Sequence, residues 1–223
     1  MTSTKESVQI QLQPFLLARS NFYQFLHLLF AEPIDDDRLT ELSKAGKFND
    51  LKFDHEGGKI LADFFENMTR NKNVMTEKEE YRRLFIGPGT LIAPPWESYY
   101  RSEEGLLFEE WTFQIRELFH QYGLQNIHEN NEPDDSLFLE LEFMIFLIHL
   151  SLQTEETKEI KDLISSQIHL LKDHMTIWIP EFCQRIIDHS NSRLYIGAAM
   201  LLKEFLIFDL TSLLEVKEAL EYV

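Results

Sequence analysis

The stretch Pro133-Asp-Asp-Ser-Leu-Phe-Leu-Glu-Leu-Glu-Phe-Met-Ile-Phe-Leu-Ile-His-Leu-Ser-Leu152 decides the fold. Pro133 and Asp134 open a helix, because the fixed φ of proline suits a first turn and an acid suits the positive end of the helix dipole. Leu137, Leu141, Met144, Ile145, Ile148 and Leu152 then recur at helical spacing, an apolar face wide enough for the centre of a bundle. The nearly unbroken apolar run over residues 143–152 is about half of the roughly 20 residues needed to cross a bilayer. It predicts a buried helix and no stable membrane insertion.

Outward from this helix the same spacing recurs. Phe15, Ala18, Phe22, Phe25, Leu26 and Leu29 make the apolar stripe of a long first helix ended by Pro33. Asp35, Asp36 and Asp37 favour the start of a short second helix with Gly46 as its stop, and Ile60, Leu61, Phe64, Phe65 and Met68 stripe a third. Thr76 and Glu79 have capping-box spacing, so a helix is expected to start there, turn Tyr81, Leu84 and Phe85 inward, and stop at Gly87-Pro88-Gly89. Helical patterns follow over residues 106–122, ended by Gly123, and, after a polar loop over 125–132 and the helix already described, over 157–174. A break precedes Pro180, a helix runs through Cys183 to His189, another spans about 194–208, and Ser212 with Glu215 opens a last one. No hairpin signal, internal repeat, low-complexity segment or Gly/Ser linker interrupts the chain. Residues 1–223 therefore read as one all-α domain, a bundle of about nine to twelve helices.

With 44% hydrophobic residues in 223, the chain can build a sizeable core without covalent staples. The lone Cys183, among Phe182, Ile186 and Ile187, reads as a packing residue in a reducing compartment. The start Met1-Thr-Ser-Thr-Lys-Glu-Ser7 has no basic region followed by an apolar one, so the expected location is cytoplasmic. A formal charge of −17 opposes binding to phosphate backbones and argues against nucleic acid as a partner. The same charge aids solubility and steers basic peptides inward.

Catalytic arrangements fail one by one. Gly87-Pro-Gly-Thr90 lacks the lysine of a phosphate loop and follows a helix rather than a strand. His169 and His174 are five apart, off the four-residue spacing with which a helix pairs metal ligands. Glu140 and Glu142 are two apart and point different ways, so an inward one reads as a hydrogen-bond anchor. Ser98 has no Gly-x-Ser-x-Gly turn. Catalytic residues, metal ligands and a cofactor are accordingly not assigned. The exceptional feature is the long loop over residues 87–101, with Pro94, Pro95, Trp96 and Tyr100 beside the acids Glu97, Glu103 and Glu104. An indole in an ordered loop is a common anchor for a partner.

At these residues the chain resembles the TorD/DmsD/NarJ family of redox enzyme maturation chaperones, and within it the TorD/DmsD branch. The resemblance rests on Tyr81-x-x-Leu84-Phe85-x-Gly87-Pro88, on Pro95-Trp96-x-Ser98-x-Tyr100, and on Glu132-Pro133-x-Asp135 with Glu140 downstream. It implies an all-helical protein, not an enzyme. Such a protein binds the twin-arginine leader and apo-form of a molybdenum-containing reductase subunit (DMSO/TMAO reductase type), assists cofactor loading and delays export, with contact to the export machinery as an extension. It further implies a leader-binding site at Trp96, Ser98, Tyr100, Glu132, Asp135 and Ser136. Tyr81, Leu84, Phe85, Gly87, Pro88, Pro94, Pro95, Glu97, Pro133 and Glu140 would support it.

A twin-arginine leader is basic and then apolar. Asp135, Glu132, Glu97 and Glu103 are expected to meet its arginines, and Trp96, Tyr100, Phe85 and Leu84 its apolar part. DmsD-like members carry His after the acid, where this chain has Ser136, which removes a group that would charge near neutral pH. A general helical adaptor without leader recognition is the alternative reading, and both a monomer and a domain-swapped dimer are compatible with the sequence.

Overall fold

The computed structural model describes residues 8–45, 55–68 and 70–222, all of its regular elements being helical. The expected stop at Gly46 lies outside these residues. In chain order come α1 (Val8–Phe30), α2 (Asp36–Ala45), α3 (Glu56–Glu66), α4 (Arg70–Tyr81), a π turn (Arg82–Ile86), α5 (Glu97–Arg101), α6 (Glu110–Gln121) and α7 (Leu137–Gln153). Then follow α8 (Thr157–Leu170), a second π turn (Leu171–Met175), α9 (Thr176–His189) and α10 (Arg193–Leu220).

The apolar stretch that opened the sequence reading is α7, packed between α1 and α8, while α10 lies across α3 and α9. Leu137, Leu141, Met144, Leu147 and Ile148 are fully buried. Each such side chain contributes about 1.5–3 kcal/mol relative to exposure. Where α3 meets α10 the backbones nearly touch: a Cβ at Gly57 would lie 2.7 Å from the Gly197 carbonyl oxygen, so only glycine fits.

Helix starts are set by side chains that satisfy free N–H groups. The Asp35 carboxylate accepts the Arg38 N–H at 2.8 Å, and the Ser192 hydroxyl accepts that of Tyr195 at 3.2 Å. Gly123, at φ +70°, ends the α6 segment as its residue type predicts.

The helix α7 starts at Leu137 behind its Ser136 cap, not at Pro133 and Asp134, because the Asp134 carboxylate is taken up by Arg116 and Asn126. Five further expectations are corrected. First, α4 starts at Arg70, not Thr76, because Val74 is itself packed against the core and draws the preceding turn into the helix. Second, α6 starts at Glu110, not at 106, because Gly105 and Phe108 adopt φ of +66° and +60°, values no helix accepts. Third, a short helix, α5, interrupts the long loop. Fourth, the break before Pro180 is not a helix end but the π turn Leu171–Met175; widening the helix just upstream of a proline relieves the clash with the preceding carbonyls. Fifth, α10 is continuous to Leu220, because the Ser212 hydroxyl bonds back to the Phe208 carbonyl at 3.0 Å instead of capping a new helix.

The first helix carries a surprise. Its buried side includes Arg19, only 3% exposed. The guanidinium donates to both carboxylate oxygens of Asp209 on α10, at 2.5 and 2.9 Å, and to the Gln167 side chain on α8. Tyr23 donates to the same carboxylate at 2.7 Å, and Gln167 donates to Ser151 of α7 at 3.0 Å. One polar knot thus ties α1, α7, α8 and α10 together, and it rotates the apolar stripe of α1 so that Ala18 faces outward.

Arg19→Met would strand a buried Asp209 carboxylate and should lower the unfolding free energy by about 3–5 kcal/mol. Arg19→Met with Asp209→Leu should recover at least half of the loss in urea unfolding. A double variant as unstable as the single one would contradict the pairing.

Candidate functional site

The two motif loops meet at a single bridge between extended residues. Trp96 and Ser136 form an antiparallel bridge; the Glu97 N–H donates to the Asp135 carbonyl at 2.9 Å and the Leu137 N–H to the Pro95 carbonyl at 3.0 Å. Residues 40 apart in sequence are thereby held side by side.

Asp135 locks this junction. Its carboxylate accepts the Ser98 backbone N–H at 2.6 Å, at the start of α5, and the Thr112 hydroxyl at 2.7 Å, on α6. The side chain is wholly enclosed. Burial pushes its pKa up, and the hydrogen bonds from Thr112 and Ser98 pull against that shift. Beside it Asp134 binds Arg116 at 2.5 Å and accepts from the Asn126 amide at 2.8 Å, fixing the polar loop to α6.

Two further carboxylates lie underneath. Glu97, fully buried, pairs with Arg101 and, at 2.8 Å, with the His174 Nδ1 on the second π turn. Arg101 also donates to the Asp173 carbonyl at 3.0 Å and lies over the Trp111 ring at 4.8 Å. Glu140, the inward acid of α7, accepts the Trp178 indole N–H at 3.1 Å. Burial, reinforced by the charges of Glu97 and Asp135, holds its carboxyl well above the usual carboxylate range.

The structure therefore redistributes the residues expected to face a peptide. Asp135 and Glu97 are internal and already paired, because three elements converge on them; Glu132 and Glu103 are on the surface. Leu84 and Phe85 lie in the core rather than in a groove, Phe85 stacking on Phe182 at 5.8 Å. Tyr100 packs against Trp178 at 5.5 Å under the Arg185 guanidinium, and the Ser98 side chain is enclosed. Trp96 is half-buried and, with Leu91, Pro94, Tyr99 and Leu107, lines an open cavity of about 190 Å³.

Ser136 has a definite role in this chain: its hydroxyl accepts the Leu139 N–H at 3.4 Å and caps α7. Of the supporting residues, Tyr81 donates its hydroxyl to the Phe30 carbonyl at 2.8 Å. Gly87 turns at φ +96° with Pro88 after it, while Pro94, Pro95 and Pro133 are buried in the two joined loops. Thr112, Arg101 and Trp178 were not singled out from sequence, and His174 was weighed only as a metal ligand. Only Trp178 carried a signal, as an indole in a helix rich in apolar residues.

Because the folded-state pKa of Glu140 lies above the unfolded one, its contribution to stability is complete below about pH 4 and is lost as pH rises toward the folded value. Glu140→Gln keeps an acceptor for Trp178 and never ionises. In urea unfolding its advantage over the unaltered protein should grow from pH 5 to pH 8; an advantage that shrinks over that interval would contradict a neutral Glu140.

Known proteins are similar to this chain over much of its length. The family model for the nitrate reductase delta subunit matches residues 52–184. A chaperone protein TorD of Psychrobacter sp. is 27% identical over 213 residues, covering 91% of this chain and 94% of its own. TorD of Photobacterium profundum is 26% identical over 205 residues, covering 88% and 94%. The Tat proofreading chaperone DmsD of Salmonella typhi is 30% identical over 117 residues, 52% of each chain. A solved structure from Archaeoglobus fulgidus, described as a redox enzyme maturation protein, shares the fold with a TM-score of 0.53 at 22% identity, covering 84% of this chain and 93% of that one. With its three motifs gathered on one helical scaffold, the chain belongs to the nitrate reductase delta subunit family, the family of the TorD, DmsD and NarJ chaperones.

Proposed function

We propose that this protein is a cytoplasmic chaperone for a molybdenum-containing redox enzyme subunit of the DMSO/TMAO reductase type. It binds the subunit's twin-arginine leader, assists cofactor loading and delays export until folding is complete. The observation that supports this reading is the junction of the two motif loops, where Trp96, at its cavity, bridges to Ser136, with Asp135 and Ser98 buried in the junction and Glu132 exposed in the same loop as Ser136. In this reading Trp96 anchors the apolar part of the leader and Glu132 meets its basic part, while Asp135, Ser98, Ser136 and Tyr100 hold the loops in register.

Charge supports it. The formal net charge of −17 raises the encounter rate with a basic segment, and more so at low salt. The curated relatives are named as chaperones and one as a Tat proofreading chaperone, and the role requires no reaction to be catalysed. Among the described residues no helix is long and apolar enough to cross a membrane.

A synthetic leader with an Arg-Arg pair followed by an apolar run should bind and change tryptophan emission. Trp96→Ala should weaken binding by about 2 kcal/mol, roughly 30-fold, with an unchanged unfolding midpoint. Failure of the unaltered protein to bind any leader of the host's molybdenum reductases would overturn the function. Undiminished affinity in Trp96→Ala would overturn the site.

A further inference from the structure

The side of α1 that carries Arg19 is not packed throughout. Phe15, Ala18 and Phe22 follow one another at helical spacing on α1, and Leu201, Phe205 and Phe208 do so on α10, so each helix turns three side chains to the same place. Ala18 is too small to fill the space between the rings, and the two faces leave an open cavity of about 270 Å³, with His55, the residue before α3, in its lining. None of the lining belongs to the two motif loops.

Phenylalanine rings supply most of the wall. Phe22 and Phe205 lie with their centroids 4.1 Å apart, and Tyr23 meets Phe205 in an edge contact at 5.1 Å, so these two rings are held in place. Phe208 is 68% exposed, a large apolar side chain left to solvent at the cavity. The face of such a ring is electronegative and attracts cations. The cavity already shows this with an internal cation, since the Arg19 guanidinium lies over the Phe15 ring at 5.4 Å.

Charge selects the occupant. Of the ionisable side chains in the lining, Arg19 and Asp209 cancel each other, and the Asp209 carboxylate also accepts from Tyr23. The others are Glu204 and His55, both half-exposed, with the His55 Nδ1 at 2.9 Å from the Glu204 carboxylate. Imidazoles shed their charge near neutral pH, so in mildly alkaline solution the lining carries a net negative charge and disfavours an anion. An ammonium or guanidinium with free N–H groups needs several acceptors, and the carboxylates here are already engaged by Arg19, Tyr23 and His55. A quaternary ammonium has no N–H to satisfy, and its methyl groups pack against rings. It also suits a cavity smaller than those that take drug-sized ligands.

We propose that this cavity binds a small quaternary ammonium ion, with Phe22, Phe205 and Phe208 around its methyl groups and Glu204 as the counter-charge. The site stands apart from the leader-binding reading, and neither depends on the other.

The test titrates the full-length protein, at about pH 8 and constant ionic strength, with choline and with its neutral isostere dimethylbutanol, in which carbon replaces the ammonium nitrogen. Amide chemical shifts over residues 201–209 report binding. Choline should bind at least about tenfold more tightly than the isostere. Phe208→Leu and Glu204→Gln should each weaken choline about fivefold, and Glu204→Gln should leave the isostere unaffected. Both side chains are exposed, and urea midpoints equal to that of the unaltered protein show that the variants fold. Equal affinity for the two compounds, or no shift with choline up to about 50 mM, would overturn the proposal. So would choline binding that Trp96→Ala abolishes and Phe208→Leu leaves intact, because the ligand would then sit in the Trp96 cavity.

Discussion

A single enclosed carboxylate organises the junction of the two motif loops. Asp135 receives a backbone N–H from one motif loop and a hydroxyl from α6, while its own backbone carbonyl completes the bridge between the loops. A buried charge is tolerated only when its lone pairs are taken up, so these bonds leave little choice in where Ser98, Thr112 and Ser136 can sit. Once they are fixed, α5 begins beside Asp135, α7 is capped by Ser136, and Trp96 is left at the rim of a cavity.

The scaffold beneath uses the same device at a larger span. Arg19 and Asp209 join the first and last helices through the middle of the core, with Gln167 and Ser151 extending the contact to α8 and α7. These internal pairings also shape the outer electrostatics. Arg19, Arg101 and Arg116 face carboxylates of the protein itself, while Glu103, Glu104 and Glu132 remain at the surface. An acidic chain thereby keeps acids on the face where a basic peptide would dock.

Most helices were legible because the apolar residues repeat at three and four positions, and the apolar face of α7 was read from that repeat although its start lies at Leu137, past Pro133 and Asp134. Boundaries failed where a tertiary contact overrode a local signal: Val74 extending α4, Ser212 bonding backward within α10, Phe108 held in a left-handed turn. The motif residues are brought together, Trp96 bridging to Ser136 with Asp135 buried in the same junction. Which of these acids turn inward was not legible, since the pairings of Asp135 with Thr112 and of Glu97 with His174 join separate elements and leave no spacing pattern in the sequence. Arg19 was hidden for the same reason, its partner being 190 residues away.

A twin-arginine leader is proposed to lie across the two joined loops. Amide hydrogen exchange, with and without a synthetic leader, tests it most directly, because protection is read segment by segment. Slowed exchange over residues 94–101 and 132–137, with little change in α1 and α10, is the expected result. Protection confined to α1 and α10, or none on any segment at saturating leader, would contradict it.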